Sequence, residues 1–522
     1  MKRLLELYNK CAYGAISGWD RIRFRGTVRW LASSNGINTY MSTRNILLKD
    51  FKQWAEGLTA KIRNACEASA RALNIPIMYL RSSQVDKEQM ARRIAEQRKI
   101  KEGNICMFSV VEPCMSAILR ADRVAKKLKV QIGPRKCVWI YHYWNDPVIG
   151  FGHTRLQTWL PFSATVCING RHWLERQLKA ESMSYVKEGN CFPYIRDIRR
   201  AQELMDMQQK TRWNDLLTDL LQRNCPAILD ILETDKLIYY WSADQTEWAT
   251  DIMFKNKSNL DGKCDTYLRH GLITSQSSAL MRFFGRTSSN SKSVGRMPKE
   301  IKSTLKCRYE GLVLRHYMND NSIKMYNKAG NILRIETTIN ATRQFKVYRK
   351  ANDDPSKTAS WQKMRKGISD MHRRAQVSQK CNNRYADHLA GASISQTIMN
   401  TARDICSGVV RNEQKYRAIN PWREDDFKTI QFIARGEINL NGFRNCNLRE
   451  WLYHDVDLSD RDLLRRVSSK ISRRLRLLRA HGLIKKIAHT NRYCLTSKGH
   501  KVATAILAAS HADVQQLMKM IA

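Results

Sequence analysis

Long apolar runs, paired cysteines and glycine-rich phosphate loops are all absent from this sequence of 522 residues. No stretch approaches the roughly 18 apolar residues of a membrane-spanning helix, so no membrane partner is expected. Walker A and G-x-G-x-x-G runs are missing, which argues against nucleotide-driven motors and dinucleotide chemistry. The 14 cysteines stand singly, without C-x-x-C spacing. The sequence therefore predicts no structural zinc and a reducing, cytoplasmic compartment.

Acidic residues are also scarce. Asp and Glu number 48 against 90 Lys and Arg, which gives a formal net charge of +42. Such a surface releases condensed counterions when it docks on a polyanion. Because the cations are interleaved with helical and aromatic segments, we expect DNA, RNA or both as partners, and nucleoid association if the source is bacterial. A merely soluble, highly charged surface is the alternative.

The patterning predicts an α+β multidomain protein with an α/β and β-meander body. Hydrophobic content of 43% is sufficient for several cores. The linker around Asp353 and Asp354 and the proline at Pro421 mark two boundaries. The predicted domains are an α/β domain (1–135), a mixed body with β units at 136–170 and 309–348 (136–350), a linker with a basic helical segment (351–420), and a C-terminal winged helix (421–522).

The segment 468–484 is typical of an amphipathic helix with a basic exposed face. Ile471, Leu475 and Leu478 recur at helical spacing and predict its core face, and Gly482 predicts a left-handed stop. Two short strands joined by the turn 488–491 are expected to follow. The cations predicted to contact nucleic acid are Lys470, Arg473, Arg474, Arg476, Arg479, Lys485, Lys486 and Arg492.

This order of helix, stop and basic hairpin resembles the winged helix-turn-helix domain of MarR-like regulators and plasmid initiators. The resemblance implies that the helix enters the major groove and that the hairpin touches the backbone. It implies a nucleic-acid-binding protein, directed to a sequence or a structure. An RNA-binding scaffold of a ribonucleoprotein is a further alternative.

Polar residues alternate with apolar ones along the predicted hairpin 322–340. Lys324, Tyr326 and Lys328 fall on one side of the first strand, and Arg334 and Glu336 on one side of the second. We expect these side chains to share an outward sheet face. The pattern has three interpretations: a solvated hairpin, a noncatalytic sheet that grips phosphates, or a catalytic site.

The same hairpin resembles the nucleophile-bearing hairpin of rolling-circle replication initiators of plasmids and filamentous phage. The resemblance implies a mobile-element nuclease in which Tyr326 attacks a phosphodiester and Glu336 binds Mg²⁺ or Mn²⁺, with Lys324 and Arg334 beside them. Many such nickases hold the metal with an H-x-H pair. That pair does not occur here, and His316 is the candidate substitute.

Two further segments carry candidate residues. Phe151, His153 and Arg155 alternate along a predicted strand and suit a base-stacking platform, although such a stripe can equally be core. The segment 171–285 is predicted to be mostly helical. On a helix Glu247 and Asp251 would lie one turn apart, a spacing that suits either a divalent metal or a solvated helix face.

Overall fold

The computed structural model describes residues 2–122, 124, 126–224, 238–275, 277–286, 298–351, 358–393, 398–435, 442–457, 459–487 and 490–510. Most of the predicted linker (352–357) and two residues of the predicted hairpin turn (488–489) lie outside the described residues. The helices are Lys2–Leu7 (α1), Ser34–Thr43 (α2), Phe51–Ala72 (α3), Lys87–Gln97 (α4), Gly170–Ala180 (α5), Ile198–Met207 (α6), Trp213–Asn224 (α7), Lys263–Thr274 (α8), Ser277–Phe283 (α9), Met371–Leu389 (α10), Ile398–Cys406 (α11), Glu424–Ala434 (α12), Asn445–Leu452 (α13), Arg461–Ala480 (α14) and Ser497–Ser510 (α15).

The strands are Ala12–Thr27 (β1), Ile77–Leu80 (β2), Gly103–Asp122 (β3), Lys127–Asp146 (β4), Gly150–Gln157 (β5), Ala164–Asn169 (β6), Tyr185–Glu188 (β7), Cys191–Ile195 (β8), Tyr240–Phe254 (β9), Ile301–Arg308 (β10), Gly311–Met318 (β11), Asn321–Lys328 (β12), Ile332–Ile339 (β13), Lys346–Arg349 (β14), Ser360–Lys363 (β15), Val409–Arg411 (β16), Gln414–Tyr416 (β17), Ile484–Lys486 (β18) and Tyr493–Leu495 (β19).

Eleven strands form one large sheet in the order β10-β11-β12-β13-β9-β1-β6-β5-β4-β3-β2. Its described pairings are antiparallel except that of β2 with β3. Four separate two-stranded hairpins complete the β structure. The fold is therefore mixed α+β, as expected. Among the described helices, none has the length and apolarity that crossing a membrane requires.

The N-terminal strand lies at the centre of this sheet, between β9 and β6. The predicted domain boundary at 135 falls inside β4, because β3 and β4 pair along their whole length. The chain divides instead into two compact units: Met1–Cys264, Lys306–Arg315 and Asp320–Asn383 form the first, and Asp265–Leu305, His316–Asn319 and Arg384–Ala522 form the second. Strand pairing over such sequence distances leaves no local signal in composition.

Both faces of the sheet centre are covered within the first unit. On one face Ile16 and Met253 pack against α5, α6 and β8 through a cluster that includes Leu174 and Met205. On the other face Trp19 packs in a cluster with residues of α3, α7 and α10. All eight residues of β13 are consequently buried. The expectation that Arg334 and Glu336 face outward to solvent was therefore wrong, because helices cover that face.

The predicted β units are confirmed and one predicted helical segment is wrong. Strands β4, β5 and β6 form the expected meander, and β12 pairs with β13 around the turn at 329–331. Residues 240–254, expected to be helical, form strand β9. Its alanines, glutamate and glutamine favour helix locally, but pairing with β1 and β13 on both sides outweighs that preference.

The predicted C-terminal helix and hairpin are confirmed, with one boundary moved. Helix α14 begins at Arg461, two turns before the predicted start, where the Asp460 side chain accepts a hydrogen bond from the backbone N–H of Asp462. Gly482 has a φ of +71° and ends it, and β18 then pairs with β19. Ile471, Leu475 and Leu478 are buried among residues of α12, α13 and α15.

We predict that Leu475→Ala destabilises the second unit by about 2–5 kcal/mol, because Leu475 is 2% exposed and its truncation leaves a cavity. Thermal or urea unfolding followed by tryptophan fluorescence measures the loss. Arg465→Ala, an exposed position of the same helix, is the control and should change stability by less than about 0.5 kcal/mol. Equal effects of the two substitutions would contradict the assigned core face.

Candidate metal centre and nucleic-acid interface

The register of four neighbouring strands brings distant polar residues onto one face of the sheet. Lys324 lies opposite Glu336, and Tyr326 lies opposite Arg334. Arg334 in turn lies opposite Asp251 on β9. Since side chains alternate between faces, Glu247 of β9 shares the face of Asp251. We call this the site face; it confirms that the tyrosine, the glutamate and the cations of the hairpin share one side.

A β-bulge adds Asp20 of β1 to the site face. Trp19 pairs with Trp248 and Ile22 with Thr246, so two residues of β1, Asp20 and Arg21, stand opposite the single residue Glu247. Bulges re-aim side chains and are frequent beside functional sites. Here the bulge directs the Asp20 carboxylate toward Glu247 and Glu336.

Asp20, Glu247 and Glu336 form a group of three carboxylates, which we call the carboxylate triad. One oxygen from each lies within 4.8 Å of the others. Within the part of the chain that the structure describes, this is the one group of three His, Cys, Asp or Glu side chains close enough to share a metal ion. Asp20 and Glu336 are buried, whereas Glu247 is partly exposed. Access to the group is therefore from the Glu247 side.

A buried ion network lies directly beside the triad. The Arg334 guanidinium donates through Nε to Asp251 Oδ1 at 2.5 Å and through Nη2 to Asp251 Oδ2 at 2.8 Å. Its Nη1 donates to Asp20 Oδ2 at 3.2 Å. Arg171 Nη2 lies 3.0 Å from Asp251 Oδ2. Asn190 of the β7–β8 turn donates to both oxygens of Asp20. Asp251 is thus neutralised by arginines and is not part of the triad.

The three carboxylates differ in their charge compensation. Burial acts to raise the pKa of Asp20, but the charges of Arg334 and Arg171 outweigh it and hold that pKa below its usual value. Glu336 has Lys324 Nζ 2.8 Å from its Oε1, as an ion pair without hydrogen-bond geometry. Burial and the Glu336 charge raise the pKa of Glu247 to about 7. Among the described residues, Glu247 makes neither a hydrogen bond nor an ion pair.

Tyr326 is placed unfavourably for the nucleophilic role that the resemblance implied. Its side chain is 4% exposed, and its hydroxyl lies 3.5 Å from Glu336 Oε2. Burial and the adjacent Glu336 charge hold the pKa of Tyr326 well above its usual value. A phenolate is therefore disfavoured, and a phosphodiester has no open approach to the hydroxyl.

His316, the predicted substitute metal ligand, has both ring nitrogens engaged within the second unit. Nδ1 lies 2.7 Å from Ser303 Oγ, and Nε2 lies 2.9 Å from Tyr385 Oη. Burial lowers the pKa of His316 to about 4, so the ring is neutral at pH 7. These contacts give it a structural role and leave no nitrogen for a metal.

Sequence reasoning identified two members of the triad for incomplete reasons. Glu336 came from the hairpin pattern, and Glu247 was singled out on the assumption of a helix. Asp20 was missed. It is the single acidic residue of β1, a strand of 16 residues with an apolar half, and a lone acid in such a pattern signals a buried, partnered carboxylate.

The triad suits a hard divalent cation. Carboxylate oxygens are the ligands of Mg²⁺ and Mn²⁺, and these ions keep further positions for water and substrate phosphate oxygens. Three carboxylates so close together repel one another when all are ionised, and a bound cation would relieve that repulsion. The donor set therefore fits the Mg²⁺ or Mn²⁺ that the sequence suggested for a nuclease.

Helix α14 carries the candidate nucleic-acid interface in the second unit. Five exposed cations lie within an arc of about 140° when successive residues are about 100° apart: Arg465, Arg466, Lys470, Arg473 and Arg476. None of the five makes a hydrogen bond or ion pair with a residue that the structure describes. Lys485 and Lys486 are exposed on β18, next to the end of the helix.

One of the predicted contact residues makes intramolecular side-chain contacts, and two others are only partly exposed. Arg474 Nη2 lies 2.8 Å from Asp425 Oδ2, and its Nη1 donates to Thr429 Oγ1 at 3.0 Å. These contacts tie α14 to α12. Arg479 and Arg492 are only partly exposed. Arg474 is therefore a packing residue, and its substitution would disturb the domain.

The predicted stacking platform on β5 is partly built into the core. The Arg155 guanidinium lies 3.7 Å from the ring centroid of Trp139 and pairs with the buried Glu112. The His153 ring packs against Tyr143, and burial lowers the pKa of His153 to about 4. Phe151 lies under Arg92 of α4, with the guanidinium 4.0 Å from the ring centroid. These three residues pack against neighbours and do not present free rings.

No protein family model, curated protein or solved structure matches this chain.

We predict that Glu247→Gln changes how stability depends on pH in the metal-free protein. The unfolded carboxyl loses its proton near 4.5 and the folded one near 7, so wild-type stability falls as pH rises through this window. The loss amounts to at most about 3.5 kcal/mol, since one pKa unit equals about 1.4 kcal/mol. Urea midpoints at pH 5 and pH 8, measured with a chelator, should converge in Glu247→Gln.

The matched control for this experiment is Glu67→Gln on α3, where the carboxylate is exposed. It should retain the pH dependence of the wild-type protein. An unchanged pH dependence in Glu247→Gln would contradict the repulsion that we assign to the triad.

Proposed function

We propose that this protein binds nucleic acid through α14 and the adjoining β18–β19 hairpin. The cationic arc of α14 carries the proposal: five unpaired cations face solvent while Ile471, Leu475 and Leu478 anchor the opposite side of the helix. A helix fixed in this way presents its charges on a backbone that needs no further ordering on binding. Phosphate contacts from such cations supply most of the non-specific affinity for nucleic acid.

The arrangement of elements agrees with the proposed winged-helix docking. Helices α12 and α13 precede α14, and a two-stranded hairpin follows it. Phe443, between α12 and α13, forms an isolated β-bridge with Tyr493 of β19. In winged helix-turn-helix domains the corresponding helix enters the major groove and the hairpin lies along the backbone. Lys485 and Lys486 stand where the hairpin would meet phosphates.

We predict that the triple substitution of Lys470, Arg473 and Arg476 by alanine weakens duplex DNA binding about tenfold or more. If all three contact phosphates, the slope of log K against log salt should fall by about 2.7. Fluorescence anisotropy with labelled duplex DNA, single-stranded DNA and duplex RNA measures both quantities. Arg474 is left intact, because its loss would disturb the packing of α12.

A triple substitution on α3 is the matched control. Lys61, Arg63 and Arg71 are exposed and remove the same charge when replaced by alanine. Equal loss of affinity in the two triple variants would reject α14 as the binding element. It would mean that the loss of affinity follows from the lower net charge alone.

The carboxylate triad favours a second candidate function, divalent-metal-dependent hydrolysis of a phosphodiester. In this reaction water attacks phosphorus, one P–O ester bond breaks, and the leaving alkoxide receives the proton that the water gives up. A cation held by Asp20, Glu247 and Glu336 would offset the charge that develops on the phosphate. Lys324 keeps the Glu336 carboxylate oriented through their ion pair.

We predict that Glu336→Gln and Glu247→Gln each abolish Mn²⁺-dependent cleavage of labelled DNA or RNA, whereas Tyr326→Phe retains it. Denaturing gels with and without protease treatment separate free cleavage products from covalent adducts. An adduct that disappears in Tyr326→Phe would restore the tyrosine mechanism in place of hydrolysis. Binding without any cleavage, in both metals and on every probe, would leave the binding function alone.

A further inference from the structure

We infer that the exposed arginines of β1 form a track for a nucleic-acid backbone that leads to the carboxylate triad. The track consists of Arg21, Arg23 and Arg25, and we call it the β1 arginine row. The inference rests on the proposed function, since it names where in the first unit a strand of nucleic acid lies.

The row occupies the site face. Arg21, Arg23 and Arg25 alternate along β1, and Arg23 lies opposite Gln245 of β9, two residues from Glu247. The bulge places Arg21 directly beside Asp20 and opposite Glu247. Alternate residues of a strand are about 6.7 Å apart. That spacing is comparable to the separation of successive phosphates in an extended nucleic-acid strand.

Two of the three guanidiniums are available to a ligand. Arg21 and Arg23 are exposed and make no hydrogen bond or ion pair within the described ranges of the chain. Arg25 is 41% exposed, with a loose ion pair of 3.7 Å to Asp244. Three cations on alternate positions of one strand raise the local positive potential, and an anionic backbone would offset it.

The exposure of the site face changes along β1, from a covered end to an open end. Ile16 is packed beneath α5 and α6, and Asp20 is 3% exposed. From Arg21 onward the arginines of the row are exposed or partly exposed. On the far side, α4 covers β3 and β4 through Ala91, Tyr141 and Tyr143. The row therefore crosses an open stretch of sheet between two covered regions, and its inner end meets the triad.

A simple solvated face is the competing explanation, and the position of the row argues against it. Cations distributed for solubility have no reason to lead to the triad, yet Arg21 stands beside Asp20 and opposite Glu247. A phosphate chain held along the row would instead bring one phosphate to the triad, whose three carboxylates would hold a divalent cation that offsets the phosphate charge. The partner that this surface fits is a single nucleic-acid strand, because the residues paired with Arg23 and Arg25 on β6 and β9 carry no positive charge.

The test is the double variant Arg21→Ala with Arg23→Ala, with Arg63→Ala and Arg71→Ala on α3 as the control of equal charge. Binding of a labelled single-stranded oligonucleotide is measured by anisotropy at several salt concentrations. We expect about a tenfold loss of affinity and a salt slope lower by about 1.4, at about 0.7 per phosphate contact on single strands. Charge reversal, with glutamate at both positions, should cause a larger loss.

The outcomes separate the row from the function on which it rests. Affinity and slope equal to those of the control variant would overturn the row. If the α14 variant loses binding while the β1 variant keeps it, the proposed function stands and the row fails. If the wild-type protein binds neither single-stranded nor duplex oligonucleotides, both fail. Circular dichroism at matched temperatures establishes that each variant is folded.

Discussion

The buried guanidinium of Arg334 is the interaction on which the first unit depends. It is fully buried and binds Asp251 of β9, Asp20 of β1 and the backbone carbonyl of Asn190. Four segments of chain thereby share one cation. Removing a partner from such a network leaves an uncompensated charge in the interior, which typically costs 3–5 kcal/mol. The network also sets the local electrostatics, because the same guanidinium that neutralises Asp251 lowers the pKa of Asp20 beside it.

The compensation of carboxylate charge by neighbouring cations is incomplete at Glu247. Asp20 has Arg334, and Glu336 has Lys324, whereas Glu247 forms no ion pair with a described residue, and the charges of Lys324 and Arg21 only partly offset its burial. The raised pKa of Glu247 expresses that imbalance, and a bound divalent cation would favour the ionised carboxylate. A carboxylate site that is fully neutralised by its own side chains gains little from binding a metal ion. A site in which one carboxylate lacks a cationic partner, on the side open to solvent, has both the negative charge that attracts a metal ion and a route for the ion to enter.

The features that could be predicted from the sequence are those whose signal lies within a short segment of the chain. The amphipathic period of α14, its glycine stop and the β12–β13 hairpin are local patterns, and all were predicted. The pairing of β1 with β9 joins residues more than two hundred positions apart, and composition carries no trace of it. For this reason sequence reasoning missed Asp20, assigned Glu247 to a helix and predicted a solvent-facing side chain for Arg334. Arg474 shows a similar limit, because its partner Asp425 lies on another helix.

The scarcity of acidic residues makes a cluster of three carboxylates informative about function. In a protein with 90 cations and 48 acids, whose partner we propose to be a polyanion, a carboxylate near the ligand weakens binding. A surface that evolved for binding alone would place cations where Asp20, Glu247 and Glu336 meet the β1 arginine row. A divalent cation held by the three carboxylates would reverse that argument, because the open side of the ion would present positive charge to a phosphate. We therefore propose that these carboxylates are the ligands of a divalent cation.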